Sequence, residues 1–169
     1  MVFGEKITAS LPARSRRSQI SEVLSLLSKT KAAGASEISA SLVQIGAMLR
    51  HRSLLMIFSD LLAEPAAIRD AMLRLRHRNH DIILFHVLDE AEVRFPFQGM
   101  VELTDPESSQ SMVVDADAAR SDYVTGVEEF RDHYRQICQQ AGIDYVPLDT
   151  SMPFDAALME YLINRQQRA

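Results

Sequence analysis

His51-Arg52-Ser53-Leu54-Leu55-Met56-Ile57-Phe58-Ser59-Asp60-Leu61-Leu62-Ala63-Glu64-Pro65 is where the fold class is written most plainly. Leu54 to Phe58 is an unbroken apolar run, short enough for a strand and bounded by polar residues. A strand that is apolar on both sides is one covered on both faces, as in a parallel α/β sheet. The expected place for this run is therefore the middle of such a sheet. The run ends in Ser59-Asp60, and Pro65 stands where the first turn of a helix would open. A carboxylate at the C-terminal end of a buried parallel strand lies on the edge where open α/β sheets bind their ligands. Asp60 is thus the first candidate for a site. Its plainer role, shared with Ser59, is to cap the strand–helix connection.

Working outward, amphipathic spacing predicts a helix over Pro65–His77, with Ile68, Met72 and Leu75 as its apolar stripe. Asp81–Leu88 reads as a second buried strand, closed by Asp89-Glu90. Upstream, Ile20, Val23, Leu24 and Leu27 predict a helix over Ser18–Lys31, and Ser36 is a good N-cap for the next one. His77 and His80, near a helix end, are expected as solvent-exposed cations. His86, inside a strand, is expected as a hydrogen-bonded core residue. Met1–Leu11 reads as extended, with Gly4 in a hairpin turn. Val101–Leu103 and Met112–Val114, around Asp105-Pro106-Glu107, give a second hairpin. A long helix over Ala116–Ala141 is stopped by Gly142, a short strand covers Ile143–Val146, and Ser151–Arg165 is a last helix. Helices alternating with apolar strands give parallel βα units with right-handed crossovers.

The 169 residues fit one domain, 1–169. Eighteen basic against 23 acidic residues recommend no nucleic-acid partner. Cys138 is the single cysteine, so no intramolecular disulfide and no cysteine-based metal site can form. No apolar run approaches a membrane span, and the N-terminus lacks the build of a secretory signal, so a cytoplasmic protein is expected. There is no Gly-rich phosphate loop, no Gly-x-Ser-x-Gly elbow, and no metal-ligand spacing among the five histidines. Asp60 with Asp89 and Glu90 could form a carboxylate pair, but no nucleophile accompanies them, so a hydrolase is the lesser alternative. Ser36, Ser59 and Asp60 could supply oxygens to a hard divalent cation such as Mg²⁺. The plain alternative is that Ser36 only caps its helix.

Taken together, a set of local matches resembles a known family. They are Phe3-Gly4-Glu5; Leu11-Pro12-Ala13-Arg14; Gly34-Ala35-Ser36-Glu37-Ile38; Arg52 through Leu61; His86 through Gly99; Cys138 with Gly142-Ile143-Asp144-Tyr145; and Tyr161 through Arg165. The chain resembles a von Willebrand factor A-like domain. More narrowly, it resembles the bacterial family of unknown function encoded beside MoxR-type AAA+ ATPases. The resemblance implies an open, mostly parallel sheet with helices on both faces, to which the residues add the small hairpin insertion around 101–114, and the missing nucleophile means that enzymatic activity is not expected. The resemblance also implies a protein-interaction module, with a MoxR-type AAA+ ATPase as partner in chaperone-like assembly or metal insertion. Its binding rim would be Ser36, Ser59, Asp60 and Asp89. In such domains Mg²⁺ is held by an Asp-x-Ser-x-Ser loop, a Thr and an Asp. Ser36 and Asp60 resemble the last two, and the loop has no counterpart here. The metal site would then be degenerate, unless residues outside this chain complete it as an adhesion-type Mg²⁺ domain. The missing strand would also leave Leu54–Phe58 with an open edge. Either Met1–Leu11 pairs there, or two chains join edge to edge as a homodimer, or the domain is N-terminally incomplete and this chain is a piece of a longer protein.

Overall fold

The structure is a computed structural model that describes residues 1–4, 6–31, 37–105, 110–153, 159, 161 and 163. Contacts divide the chain into two compact units, Met1–Arg50 with Ala63–Leu75, and His51–Leu62 with Arg76–Ala169.

The first unit opens with β1 (Val2–Phe3) and β2 (Ile7–Ala9), antiparallel to one another. The expected hairpin is present, and it pairs on itself. The alternative in which Met1–Leu11 joins the Leu54–Phe58 strand is thereby corrected: β1 and β2 form their own two-stranded sheet. Helix α1 (Ser18–Lys29) follows and buries none of its residues. Helix α2 (Ile38–Met48) buries Ile38, Leu42 and Ile45, the spacing that faces one side of a helix. The hairpin is tied to it through Gly4, whose carbonyl oxygen accepts from Glu37 N (3.0 Å) and Ser41 Oγ (3.3 Å).

The second unit holds the parallel sheet. Strand β3 (Leu54–Ser59) leads in sequence to helix α3 (Pro65–His77), which belongs to the first unit through Leu75, begins at the proline, as expected, and buries Ile68, Ala71, Met72 and Leu75. Then come β4 (Asp81–Leu88), the short helix α4 (Glu90–Arg94), the hairpin β5 (Met100–Thr104) with β6 (Ser111–Asp115), helix α5 (Ala116–Ala141) and β7 (Asp144–Asp149). The sheet order is β3-β4-β7, both ladders parallel. Gly142 closes α5 at φ 65°, the left-handed backbone that suits glycine. The expected strand over Ile143–Val146 starts one residue later and runs on to Asp149. Of the expected last helix, Met159, Tyr161 and Ile163 are helical, and the remainder lies outside the described residues.

One expectation needs correction. Among the described residues β4, not β3, is central, and β3 is an edge. Strand β4 is buried from Ile82 through His86 and again at Leu88. Strand β3 alternates instead. Ile57 is buried, whereas Leu54, Met56 and Phe58 are 53%, 49% and 56% exposed. An unbroken apolar run does not by itself say that both faces are covered; only neighbours do that.

The two faces of the sheet have different coverings. On one, Ile83, Phe85 and Val146 form a cluster against which Val87, Leu148 and Tyr161 pack. On the other, α5 supplies buried Tyr134, Ile137 and Cys138. Hairpin β5–β6 is a separate two-stranded sheet, as expected for an insertion. No described helix is long and apolar enough to cross a membrane.

Candidate functional site

The candidate rim is built where the three parallel strands end. At the end of β3 the chain makes a tight, non-glycine turn. Leu61 is fully buried and adopts φ 60°, a backbone that bulky residues rarely take. Four hydrogen bonds hold it there. Ser59 Oγ accepts from Leu61 N (3.1 Å), and Asp60 Oδ1 accepts from Leu62 N (3.3 Å). The carbonyl oxygen of Asp60 accepts from His86 Nε2 (3.0 Å), and that of Leu61 accepts from Tyr134 Oη (3.3 Å). Strain at a bulky residue persists where its surroundings over-determine it. Here they do, and the result presents the Asp60 carboxylate and Leu62 to solvent, the latter 66% exposed.

His86 anchors this turn from inside the sheet. It is buried, with Tyr145 Oη 2.7 Å from Nδ1. Since a carbonyl can only accept, Nε2 carries the proton toward Asp60, and Nδ1 accepts the phenolic proton of Tyr145. The rings of Phe130, Tyr134 and Tyr145 stand edge-on around the imidazole. Burial among them lowers its pKa to about 4, so the ring is neutral near pH 7. The expected core role for His86 is what is seen. His80 is different. Its expected place in solvent is corrected: it is 2% exposed, and its Nδ1 accepts from Ser53 N (3.2 Å). It directly precedes β4, so the strand start draws it inward, while His77 stays exposed.

At the end of β4, Asp89 opens α4 with a reciprocal capping box. Its Oδ1 accepts from Ala91 N (2.8 Å), while Glu92 Oε2 accepts from Asp89 N (2.8 Å). Its Oδ2 accepts from Thr150 Oγ1 (3.0 Å), and Thr150 N donates to the carbonyl of Leu88 (3.1 Å). At the end of β7, Asp149 accepts from the hydroxyl and the amide of Ser151. The hydroxyl bond is the main reason its carboxyl is held below the usual range.

Ser59, Asp60 and Asp89 are therefore all on one rim, on the ends of neighbouring strands. The Asp60 carboxylate bonds within its own turn, that of Asp89 to the start of α4 and to Thr150 after β7, and the two do not bond one another. Ser36 lies outside the described residues; helix α2 opens at Ile38 with Glu37 in the capping position. For a Mg²⁺ ion the fit is poor: Asp60 Oδ1 is engaged in its turn, both oxygens of Asp89 accept bonds, and no group of three metal-ligating side chains gathers among the described residues. Asp149, Thr150 and Tyr145 escaped the sequence reading. The run Leu148-Asp149-Thr150-Ser151, an acid followed by two hydroxyls after a strand, is the signal that could have found the first two.

The second feature of note is the outer side of β3. Leu54, Met56 and Phe58 share one face, and Phe58 stacks flat on Phe85 with ring centroids 4.5 Å apart and planes 4° from parallel. Among the described residues β3 has one ladder partner, β4, so its other side is an edge. The strand thus couples a hydrogen-bonding edge to an apolar face.

The model of a family described as "Protein of unknown function DUF58" matches residues 1–133. No curated protein and no solved structure matches the chain.

Proposed function

We propose, since the chain belongs to the DUF58 family of proteins of unknown function, that it works as a protein-interaction module and not as an enzyme. The observation that carries this reading is strand β3, an edge among the described residues, whose backbone there has no ladder partner on one side, beside exposed Leu54, Met56 and Phe58. Such an edge takes an added strand: main-chain hydrogen bonds supply affinity and the alternate side chains supply selectivity. The adjoining rim of Ser59, Asp60 and Asp89 supplies a polar border to that contact. Within this reading the partner is a MoxR-type AAA+ ATPase, the module contributes to chaperone-like assembly or metal insertion in the cytoplasm, and the domain is von Willebrand A-like. Pairing of two copies through the same edge is the competing use of the surface, because an exposed apolar strand edge also associates with itself.

The test uses the full chain, purified MoxR-type ATPase, and the variants Leu54→Lys and Met56→Lys, which place charge on an already exposed face. Sedimentation velocity and surface binding are the measurements. The expected result is a complex with the ATPase weakened at least about tenfold by either variant, about 1.4 kcal/mol. Equal binding by both variants and the parent chain would remove β3 as the contact. Concentration-dependent dimers that both variants abolish, with no ATPase complex, would assign the edge to a second copy instead.

A further inference from the structure

Helix α1 is turned inside out relative to its sequence pattern. Ile20, Val23, Leu24 and Leu27 occupy one stripe about 100° wide, the kind of face that normally meets a core. Yet they are 68%, 40%, 62% and 57% exposed. The side that rests on the protein is a different one. Gln19 and Leu26 are half-buried, and Gln19 Nε2 donates to the carbonyl of Pro12 (3.0 Å). The helix is thus held by the flank of Gln19 and Leu26 and leaves its apolar stripe exposed.

Its charge is equally unusual. Residues 6–31 carry Lys6, Arg14, Arg16, Arg17, Lys29 and Lys31 against one acid, Glu22, in a chain whose net charge is −5. None of these cations takes part in an ion pair among the described residues. Arg14, Arg16 and Arg17 precede the helix, and Lys29 and Lys31 lie at and beyond its end. The uncompensated charge therefore brackets the apolar stripe at both ends. Pairing of two α1 helices would be opposed by this arrangement, since an antiparallel pair would set the arginines of one against the lysines of the other.

We propose that α1 is a peripheral docking element for an anionic lipid surface, lying in the interface with Ile20, Val23, Leu24 and Leu27 toward the acyl boundary and the flanking cations among the headgroups. Extended, uncompensated positive charge at both ends of an exposed apolar stripe complements a broad anionic plane better than a point ligand. The contact is separate from β3 and does not depend on the reading above.

The test is co-sedimentation of the full chain with vesicles of equimolar phosphatidylcholine and phosphatidylglycerol, beside vesicles of phosphatidylcholine alone. The expected result is binding to the anionic vesicles only, reduced steeply by a roughly tenfold rise in salt. The triple variant Arg14→Ser, Arg16→Ser, Arg17→Ser should bind at least about tenfold more weakly, since each cation near the surface adds to the attraction. The double variant Leu24→Gln, Leu27→Gln should lose binding as well, and since both residues are exposed its thermal midpoint should match the parent's. Absence of binding to anionic vesicles, equal binding to neutral ones, or retention of full binding by both variants would overturn the proposal. A chain that ignores vesicles would leave α1 to a protein groove with an acidic border.

Discussion

His86 Nε2 lies 3.0 Å from the carbonyl oxygen of Asp60, so a buried side chain of the central strand fixes the backbone of the exposed rim. The same imidazole is held from its other side by Tyr145. Protonation would leave the Nε2 bond to Asp60 in place, but it would put a charge in a buried site and end the acceptance at Nδ1 from Tyr145, which makes the anchor of the rim turn sensitive to acid.

The sign of that sensitivity follows from the depressed pKa. Folded His86 takes up its second proton near pH 4, whereas the unfolded chain does so near the ordinary value of 6.5. Between those values the unfolded state binds more protons, so stability rises with pH across that window. The contribution of His86 is complete above about pH 6.5 and is lost as pH falls toward 4, by up to about 3 kcal/mol. An NMR titration of the ring should give a midpoint near 4, and a midpoint at 6 or above would contradict the account.

Tyr145→Phe removes the phenolic donor and leaves Nδ1 of His86 buried without its partner. A loss of about 1–3 kcal/mol in denaturant unfolding is expected, the usual cost of an unmet buried polar atom. A variant as stable as the parent would mean that the 2.7 Å contact contributes nothing net.

Cys138 is fully buried on α5, and burial pushes its thiol up to about 12. Because the thiolate is the reactive form, a thiol reagent at neutral pH should leave the native chain unmodified and label it stoichiometrically in denaturant. Rapid labelling of the folded protein would show that α5 opens far more readily than its packing implies.

Asp89→Ala removes a capping box and the bond to Thr150 in one change. The expected cost is about 1–2 kcal/mol, read from thermal or denaturant unfolding. Asp60→Ala should cost less, since its carboxylate caps a single exposed amide, Leu62 N. The reverse order would mean that the β3 turn, not the α4 cap, sets the stability of the rim.

Local signals were read correctly where the chain's own neighbours decide the outcome. Pro65 at a helix start, Gly142 at a helix stop, and the hairpin about Asp105 each depend on a few adjacent residues. The order of strands in a sheet depends on partners distant in sequence. Nothing in Leu54–Phe58 says which flank is occupied, and so a strand with a core-like sequence came out at an edge. The same holds for His80, whose hydrogen-bond partner, Ser53, is 27 residues away in sequence. Of the candidate rim, Asp60 and Asp89 were found by their position after apolar runs. Thr150 and Tyr145 were missed because their roles exist only once β4 and β7 lie side by side.

The β5–β6 arm is pinned at its base by two bonds: Ala116 N donates to the carbonyl of Gly99 (2.8 Å), and Asp117 Oδ2 accepts from Gly99 N (2.9 Å). Its ladder is closed on itself and separate from the parallel strands. It is the natural handle on this molecule: a reporter or tether carried by the arm would load a ladder that the parallel strands do not share.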